Sequence, residues 1–262
     1  MTSPNIDQKA HISPKANLGK NVSVGPFAVI EDECLIEDGT VIKSHATIKR
    51  GTTIGPSCII GEGAIIGGDP QDLSFAKEKK SFVIIKKETE IREYVTIHRA
   101  SKENEATVIG EKCLIMVGVH IAHDVVLGSR VVIANLSQLS GHIVVGDDAF
   151  ISGNCLFHQN VRIGRVAMIG AQTRIGQDIL PFSTVSGYVG KYHGINAVGL
   201  RRQNFNVKDR SIIKNYYQRC ITEGIEKIKK TPPNNDLEKE ILDFILASKR
   251  GVILVNSEKN ST

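Results

Sequence analysis

Tryptophan is absent from the 262 residues, and aromatic side chains of all kinds make up only 5%. The apolar fraction of 41% is therefore almost wholly aliphatic. That suits thin, regular layers of Ile, Val and Leu in an ordinary folded protein. Long apolar runs are missing too. Nothing approaches the ~20 residues of a membrane-spanning helix, and residues 1–11 have no apolar stretch of the kind that marks a signal peptide. No membrane span and a cytoplasmic location are expected. The five cysteines (Cys34, Cys58, Cys113, Cys155, Cys220) include no close pair and no CxxC spacing. A disulfide framework or a thiolate zinc site is thereby disfavoured, and the thiols are expected to be buried, reduced and structural. An excess of either charge is missing from residues 1–200, which hold 20 basic and 20 acidic side chains. The whole net charge of +5 sits in residues 201–262, with 13 Lys and Arg against 8 Asp and Glu. Such a segment either attracts an acidic partner or forms a solvated helix face.

What the chain does have is a period of six. From Ile12 every sixth residue to Ile66 is aliphatic, ten positions in succession, and Gly often follows. A second frame runs from Ile85 through Ile91 and Ile97, then from Ile109 by sixes to Ile175. Only Glu103 breaks it, and Phe157 is its one aromatic. Six is not the helical period. It fits short strands with inward residues at period two, joined by tight corners, each rung pairing with the rungs above and below. These hexads resemble the hexapeptide-repeat acyltransferases. That resemblance implies a mainly β fold, a left-handed parallel β-helix with 18 residues per coil. About eight coils would make a prism roughly 40 Å tall at ~4.8 Å per coil.

Two segments, about 67–84 and 98–108, interrupt the hexads and are expected to project as loops, where function often resides. The repeat ends after Ile175, so residues 1–190 are read as the β-helix and 191–262 as a connector and C-terminal α-helical domain. Asn206 with Asp209 three residues on reads as a helix start. Ile212, Ile213, Tyr216, Tyr217, Cys220 and Ile221 form its stripe, with Gly224 near its end. Asp236 is expected to cap a second helix, with Leu237, Ile241, Phe244 and Ile245 on one face and a stop at Gly251.

Histidines gather in the second frame. On an 18-residue coil, His142 stacks above Asp124, Gly141 above His123, and Gln159 above Gly141. His158 lies two coils above Ala122. One flank over three coils thus holds His123, Asp124, Gly141, His142, His158 and Gln159. Neutral imidazoles suit a zinc ion. An imidazole beside a carboxylate equally suits general base catalysis. The order His120-Ile-Ala-His123-Asp124 favours the base.

A more specific resemblance then emerges. Pro70-Gln71-Asp72-Leu73, Arg92-Glu93 with Val95-Thr96-Ile97-His98-Arg99, His120-Ile-Ala-His123-Asp124, Leu139-Ser-Gly141-His142, Phe157-His158-Gln159, Gly199-Leu200-Arg201-Arg202 and Arg250-Gly251 follow one family's order and spacing. Together they resemble the UDP-N-acetylglucosamine O-acyltransferases of lipid A biosynthesis. The resemblance implies transfer of a (R)-3-hydroxyacyl group from acyl carrier protein to the glucosamine 3-position of a UDP-sugar. It implies no cofactor and no metal. His123 would be the general base, Asp124 its orienting partner and the Gly141 N–H the oxyanion donor. Asp72, His98, His120, His142, His158, Gln159, Asn196 and Arg202 would line the substrate site. Ala171 would limit acyl-chain length. The family is a homotrimer with sites between subunits, and the basic tail would meet the acidic carrier protein. No nucleic-acid partner is implied. The chain departs from the family pattern at Ser74, Val198 and Gln203, and it does not distinguish a 3-hydroxyl from a 3-amino acceptor. Two other classes compete with this reading. One is a zinc hydratase of the γ carbonic anhydrase type, whose His ligands are spaced more widely than His120 and His123. The other is a solenoid scaffold, which needs no His cluster.

Overall fold

The computed structural model describes residues 3–254. The hexads form a left-handed β-helix, a three-sided prism of two- to four-residue strands. The first face runs from Asn5–Ile6 to Ser183–Ser186 in parallel rungs and is closed by Lys191–Ile195, which pairs antiparallel. The second face runs from His11–Ile12 to Arg174–Ile175, and the third from Asn17–Leu18 to Arg162–Ile163. The prism therefore begins before the first hexad and ends after the last. Each hexad aliphatic is the inward residue of its rung, and those from Val24 to Ile175 are buried. One continuous core of stacked Ile, Val, Leu and Ala fills the axis.

The corners explain the small residues between hexads. Twenty non-glycine residues among those described sit at positive φ, including Asp124 (φ 61°) and His142 (φ 61°) on the same corner of successive coils. Left-handed backbone is costly for a side chain with a Cβ. Here parallel rungs lock every corner from above and below.

The two interruptions are narrower than the sequence implies. Strand Ile65–Gly68 continues past the expected break and pairs with Thr96–His98, and Phe82–Ile85 resumes the third face. The first insert is thus 69–81. The second lies between His98 and Ala106, at 99–105. Ile60 pairs with Ile91 and Ile91 with Ile115. These two coils therefore span 31 and 24 residues rather than 18, and the inserts absorb most or all of their surplus.

The tail folds onto the last coils as α1 (Ala197–Arg202), α2 (Val207–Thr222), α3 (Ile225–Ile228) and α4 (Asp236–Leu246). Asn206 and Asp209 make a reciprocal capping box at α2, the expected start. The cap of α4 is Asn235 rather than Asp236, because the Asn235 side chain accepts from the Glu238 N–H. That helix ends at Leu246, short of Gly251. Helices α1 and α3 are too short to show a periodic stripe. Ile213, Tyr216, Tyr217 and Cys220 share a second core with Ile241, Ile245, Leu180 and Phe182 from the end of the prism. Ile221, expected in the stripe, is 38% exposed. All five cysteines are free and buried.

Candidate active site

The prism's 18-residue step brings the histidines together. His98 ends its second-face strand, and His120 is the outward residue of the rung above; their rings meet edge to face at 4.8 Å. Thr96 Oγ1 lies 2.7 Å from His120 Nδ1. His123 and Asp124 follow on the corner between the second and third faces. Gly141 and His142 occupy that corner one coil on, and Gln159 the next, with exposed His158 just before it.

At the centre, His123 Nδ1 lies 2.6 Å from Asp124 Oδ2. An ionised carboxylate only accepts, so Nδ1 carries the proton and Nε2 presents its lone pair outward. The Asp124 carboxylate also receives the Ser101 N–H at 3.1 and 3.2 Å, and the Asp124 N–H donates to Thr107 Oγ1 at 2.8 Å. Burial raises the Asp124 carboxyl, but the Ser101 and His123 hydrogen bonds outweigh it and hold the group below the usual carboxylate range. His142 Nε2 stands 3.6 Å from the same oxygen, and its ring is edge-on to His123 at 5.1 Å.

Gly141 is buried beneath the His123 ring. An added Cβ would fall 2.6 Å from His123 Cε1 and 2.8 Å from Nε2, so only glycine fits. Its N–H meets no acceptor among the described residues. A basic nitrogen and an unused backbone donor thus lie side by side.

Burial pushes the His98 imidazole down to about 4, aided by the neighbouring His120 and His123. Burial likewise lowers His120. His98 Nδ1 is buried without a partner. Asp72 is carried by the first insert, where the Ser74 N–H and hydroxyl both donate to Oδ1 at 2.8 Å. Those two bonds, and more weakly the charge of His123, draw the Asp72 carboxyl below its ordinary value.

His123, Asp124 and His142 could offer one ligand atom each, all within 4.8 Å of one another. Two of those atoms already face each other at 2.6 Å, so a metal would have to break the pair. The donor set fits a proton relay better than a preformed cation site.

Not every expected residue joins this group. Asn196 and Arg202 line a 650 Å³ cavity with Arg130, Phe150, Met168 and Val198, on the first face. The Asn196 side chain caps α1 through the Gly199 N–H at 2.9 Å and donates to the Val166 carbonyl at 2.8 Å. Ala171 sits exposed on the corner between the first and second faces. Its 48-residue distance from His123 is two coils plus two-thirds of a turn, which puts the two residues on different corners of one chain. No sequence signal marks Ser101 or Thr107. Ser101 lies in an insert with no repeat to index it, and Thr107 only just rejoins the rungs after it.

Comparison with known proteins places this geometry. Residues 178–253 match the model of a UDP-N-acetylglucosamine O-acyltransferase second domain. Residues 15–50, 33–68 and 106–141 match bacterial transferase hexapeptide repeats. The acyl-[acyl-carrier-protein]–UDP-N-acetylglucosamine O-acyltransferase of Thermodesulfovibrio yellowstonii is 42% identical over 193 residues, covering 71% of this chain and 74% of that protein. A Synechocystis enzyme of the same name is 41% identical over 152 residues, 58% of this chain and about half (55%) of its own length. The crystal structure of a UDP-N-acetylglucosamine acyltransferase from Bacteroides fragilis superposes with TM-score 0.89 at 35% identity, covering 94% of this chain and 99% of that one. The repeats and the tail are both matched, and the chain belongs to the UDP-N-acetylglucosamine O-acyltransferase family.

Proposed function

We propose that this protein transfers a (R)-3-hydroxyacyl group from acyl carrier protein to the glucosamine 3-position of UDP-N-acetylglucosamine, the opening step of lipid A biosynthesis. The single observation that carries the mechanism is the His123–Asp124 pair at 2.6 Å with Gly141 beneath the ring. His123 Nε2 removes the proton from the sugar 3-hydroxyl as that oxygen attacks the thioester carbonyl. Asp124 fixes the tautomer and stabilises the imidazolium that forms. The carbonyl oxygen becomes an oxyanion, met by the Gly141 N–H. When the intermediate collapses, the C–S bond breaks, the imidazolium returns its proton to the leaving pantetheine sulfur, and an ester and a free thiol remain. No covalent enzyme intermediate is required.

His98 and His120, kept neutral by burial, line the approach with His142, His158, Gln159 and Asp72. Asn196 and Arg202 lie on another face, so a complete site takes residues from two chains. A homotrimer is the arrangement we assign, with Arg202 meeting phosphate through its planar fork. In the same assembly Ala171 of one copy faces the far end of an acyl chain held by its neighbour. We divide the chain at about residue 190, where the last parallel rung has ended and the antiparallel return begins. The location we assign is the cytoplasm, where acyl carrier protein and sugar nucleotide are both found. Lys208 and Lys214 on the exposed side of α2 carry charge that suits an acidic carrier protein. Changing His123 to Ala is expected to lower acyl transfer by at least ~10²-fold in a protein with unchanged circular dichroism. Near-normal turnover would remove His123 from the base role. EDTA is expected to leave the wild-type rate unchanged.

A further inference from the structure

We propose that Arg99 is a positioning residue that clamps the first insert to the prism and, through the Ser101 amide two residues on, holds Asp124 in line with His123. The inference rests on the acyl-transfer reading and deepens it. Arg99 follows His98 directly, and its side chain is only 13% exposed. Its guanidinium reaches four groups of the 69–81 insert. Nε donates to Asp69 Oδ1 at 2.9 Å, one terminal nitrogen to the Lys79 carbonyl at 2.5 Å and Ser81 Oγ at 3.4 Å, and the other to the Lys77 carbonyl at 3.0 Å. Its charge also lies over the Phe75 ring at 4.8 Å. The Arg99 N–H donates to the Gly68 carbonyl at 2.9 Å. One planar fork thus ties both ends and the middle of the insert that carries Asp72.

The clamp continues into the second insert. Ser81 Oγ donates to the Ala100 carbonyl at 2.6 Å, Lys79 Nζ to the Ser101 carbonyl at 3.4 Å, and the Asn104 N–H to the Lys80 carbonyl at 2.8 Å. The peptide between Ala100 and Ser101 is therefore held on one side by the first insert. On the other side it gives its N–H to Asp124. Asp124 otherwise stands on a left-handed corner with His123 at 2.6 Å and His142 at 3.6 Å from its Oδ2. The two inserts depart from the coil in order to build a wall for the carboxylate. The clamp needs a planar group whose donors point three ways. A lysine supplies charge at one point and does not span Asp69, Lys77 and Lys79 together.

The test compares wild type with Arg99→Lys and Arg99→Met, each also in an Asp124→Asn background. Steady-state kinetics would be run with acyl carrier thioester and UDP-N-acetylglucosamine varied in turn, and amide hydrogen exchange followed over residues 99–105. Arg99→Met is expected to lower kcat by ~10-fold or more, since small misplacements at the reacting centre are costly in rate. Arg99→Lys should not rescue it. In Asp124→Asn the same substitution should cost less than about threefold, because the group it positions is gone. Exchange across 99–105 should quicken in both Arg99 variants. Values of kcat within about twofold of wild type in both variants, or a full Arg99→Met effect retained without Asp124, would overturn the inference. Should Arg99→Met not fold, Arg99→Lys, which keeps charge and stem, carries the same comparison. A wild type without acyl transfer, or an active His123→Ala, would instead overturn the functional reading, while the exchange measurement still reports whether Arg99 holds the second insert.

Discussion

At the scale of single residues, the site is built from side chains whose options have been removed. Gly141 is glycine because the His123 ring occupies the space of its Cβ. Asp124 is held below the usual carboxylate range because hydrogen bonds from Ser101 and His123 outweigh the cost of its burial. His98 is neutral because burial opposes its charge, and the adjacent His120 and His123 would repel it. The last point has a sign that an experiment reads. The His98 imidazole binds a proton in the unfolded chain below about pH 6.5 but in the folded protein only near pH 4. Between those values the unfolded state holds more protons, so folding stability from this group is full above pH 6.5 and is lost as pH falls towards 4. His98→Gln removes the titration. Thermal melts from pH 7 to pH 4.5 are expected to show Tm falling less steeply in the variant. Parallel curves would mean that His98 titrates alike in both states. The same residues show how far a sequence is readable. The His123–Asp124 pair and its stacked Gly141 are visible because an 18-residue coil converts spacing directly into neighbourhood. Ser101 is invisible because it lies in an insert that breaks the count.

At the scale of elements, the prism solves a problem that its period creates. A corner every six residues leaves carbonyls and amides turned towards a dry core, and buried polar groups need partners. The chain answers with a repeated device. Thr40 Oγ1 donates to the Gly55 carbonyl and accepts the Cys58 N–H. Thr89 Oγ1 does the same with Gly110 at 2.8 Å and Cys113 at 3.1 Å. Ser137 Oγ does it with Ser152 and Cys155. The three cysteines then turn their thiols to the carbonyls of Lys86, Gly128 and Gly170. Burial raises all three thiols, which leaves them inert. Thr89→Val keeps the shape and strips the hydroxyl, so the Gly110 carbonyl and the Cys113 amide both lose a partner. Denaturant titration is expected to show a loss of ~1–3 kcal/mol, with the fold intact. No loss would mean that water or backbone shifts replace the hydroxyl. The strands were legible because one buried aliphatic recurs at a fixed step, and α2 because a capping box precedes a helical stripe. The inserts read too wide from sequence, since Gly68 and His98 still pair as strand residues while carrying no hexad aliphatic.

At the scale of the whole molecule, the proposed site residues are spread around the prism. The dyad stands on the corner between the second and third faces, while Arg202 and its cavity lie on the first. Ala171 stands on yet another corner, so in the homotrimer we propose an acyl chain held at His123 would meet it on a neighbouring copy. On that arrangement Ala171→Gly is expected to move the preferred donor to a longer 3-hydroxyacyl chain, assayed against a ladder of carrier thioesters. An unmoved optimum would remove Ala171 from that role.

The proposal that copies share the site makes a sharper prediction. Consider two inactive variants, His123→Ala and Arg202→Ala, unfolded together and refolded as an equal mixture. In a closed ring each site takes its base from one chain and its arginine from the next. The chain giving the base must be the Arg202 variant, with probability one half. The chain giving the arginine must be the His123 variant, again with probability one half. About one quarter of the sites is therefore wild type in both groups, and about that share of wild-type activity should return although each variant alone is inactive. A site contained in one chain can never regain both groups by mixing, because every chain carries one lesion. Absence of recovery in a mixture shown by mass spectrometry to contain mixed oligomers would place the whole site within a single chain. The Arg202 cavity would then need a role other than holding the nucleotide.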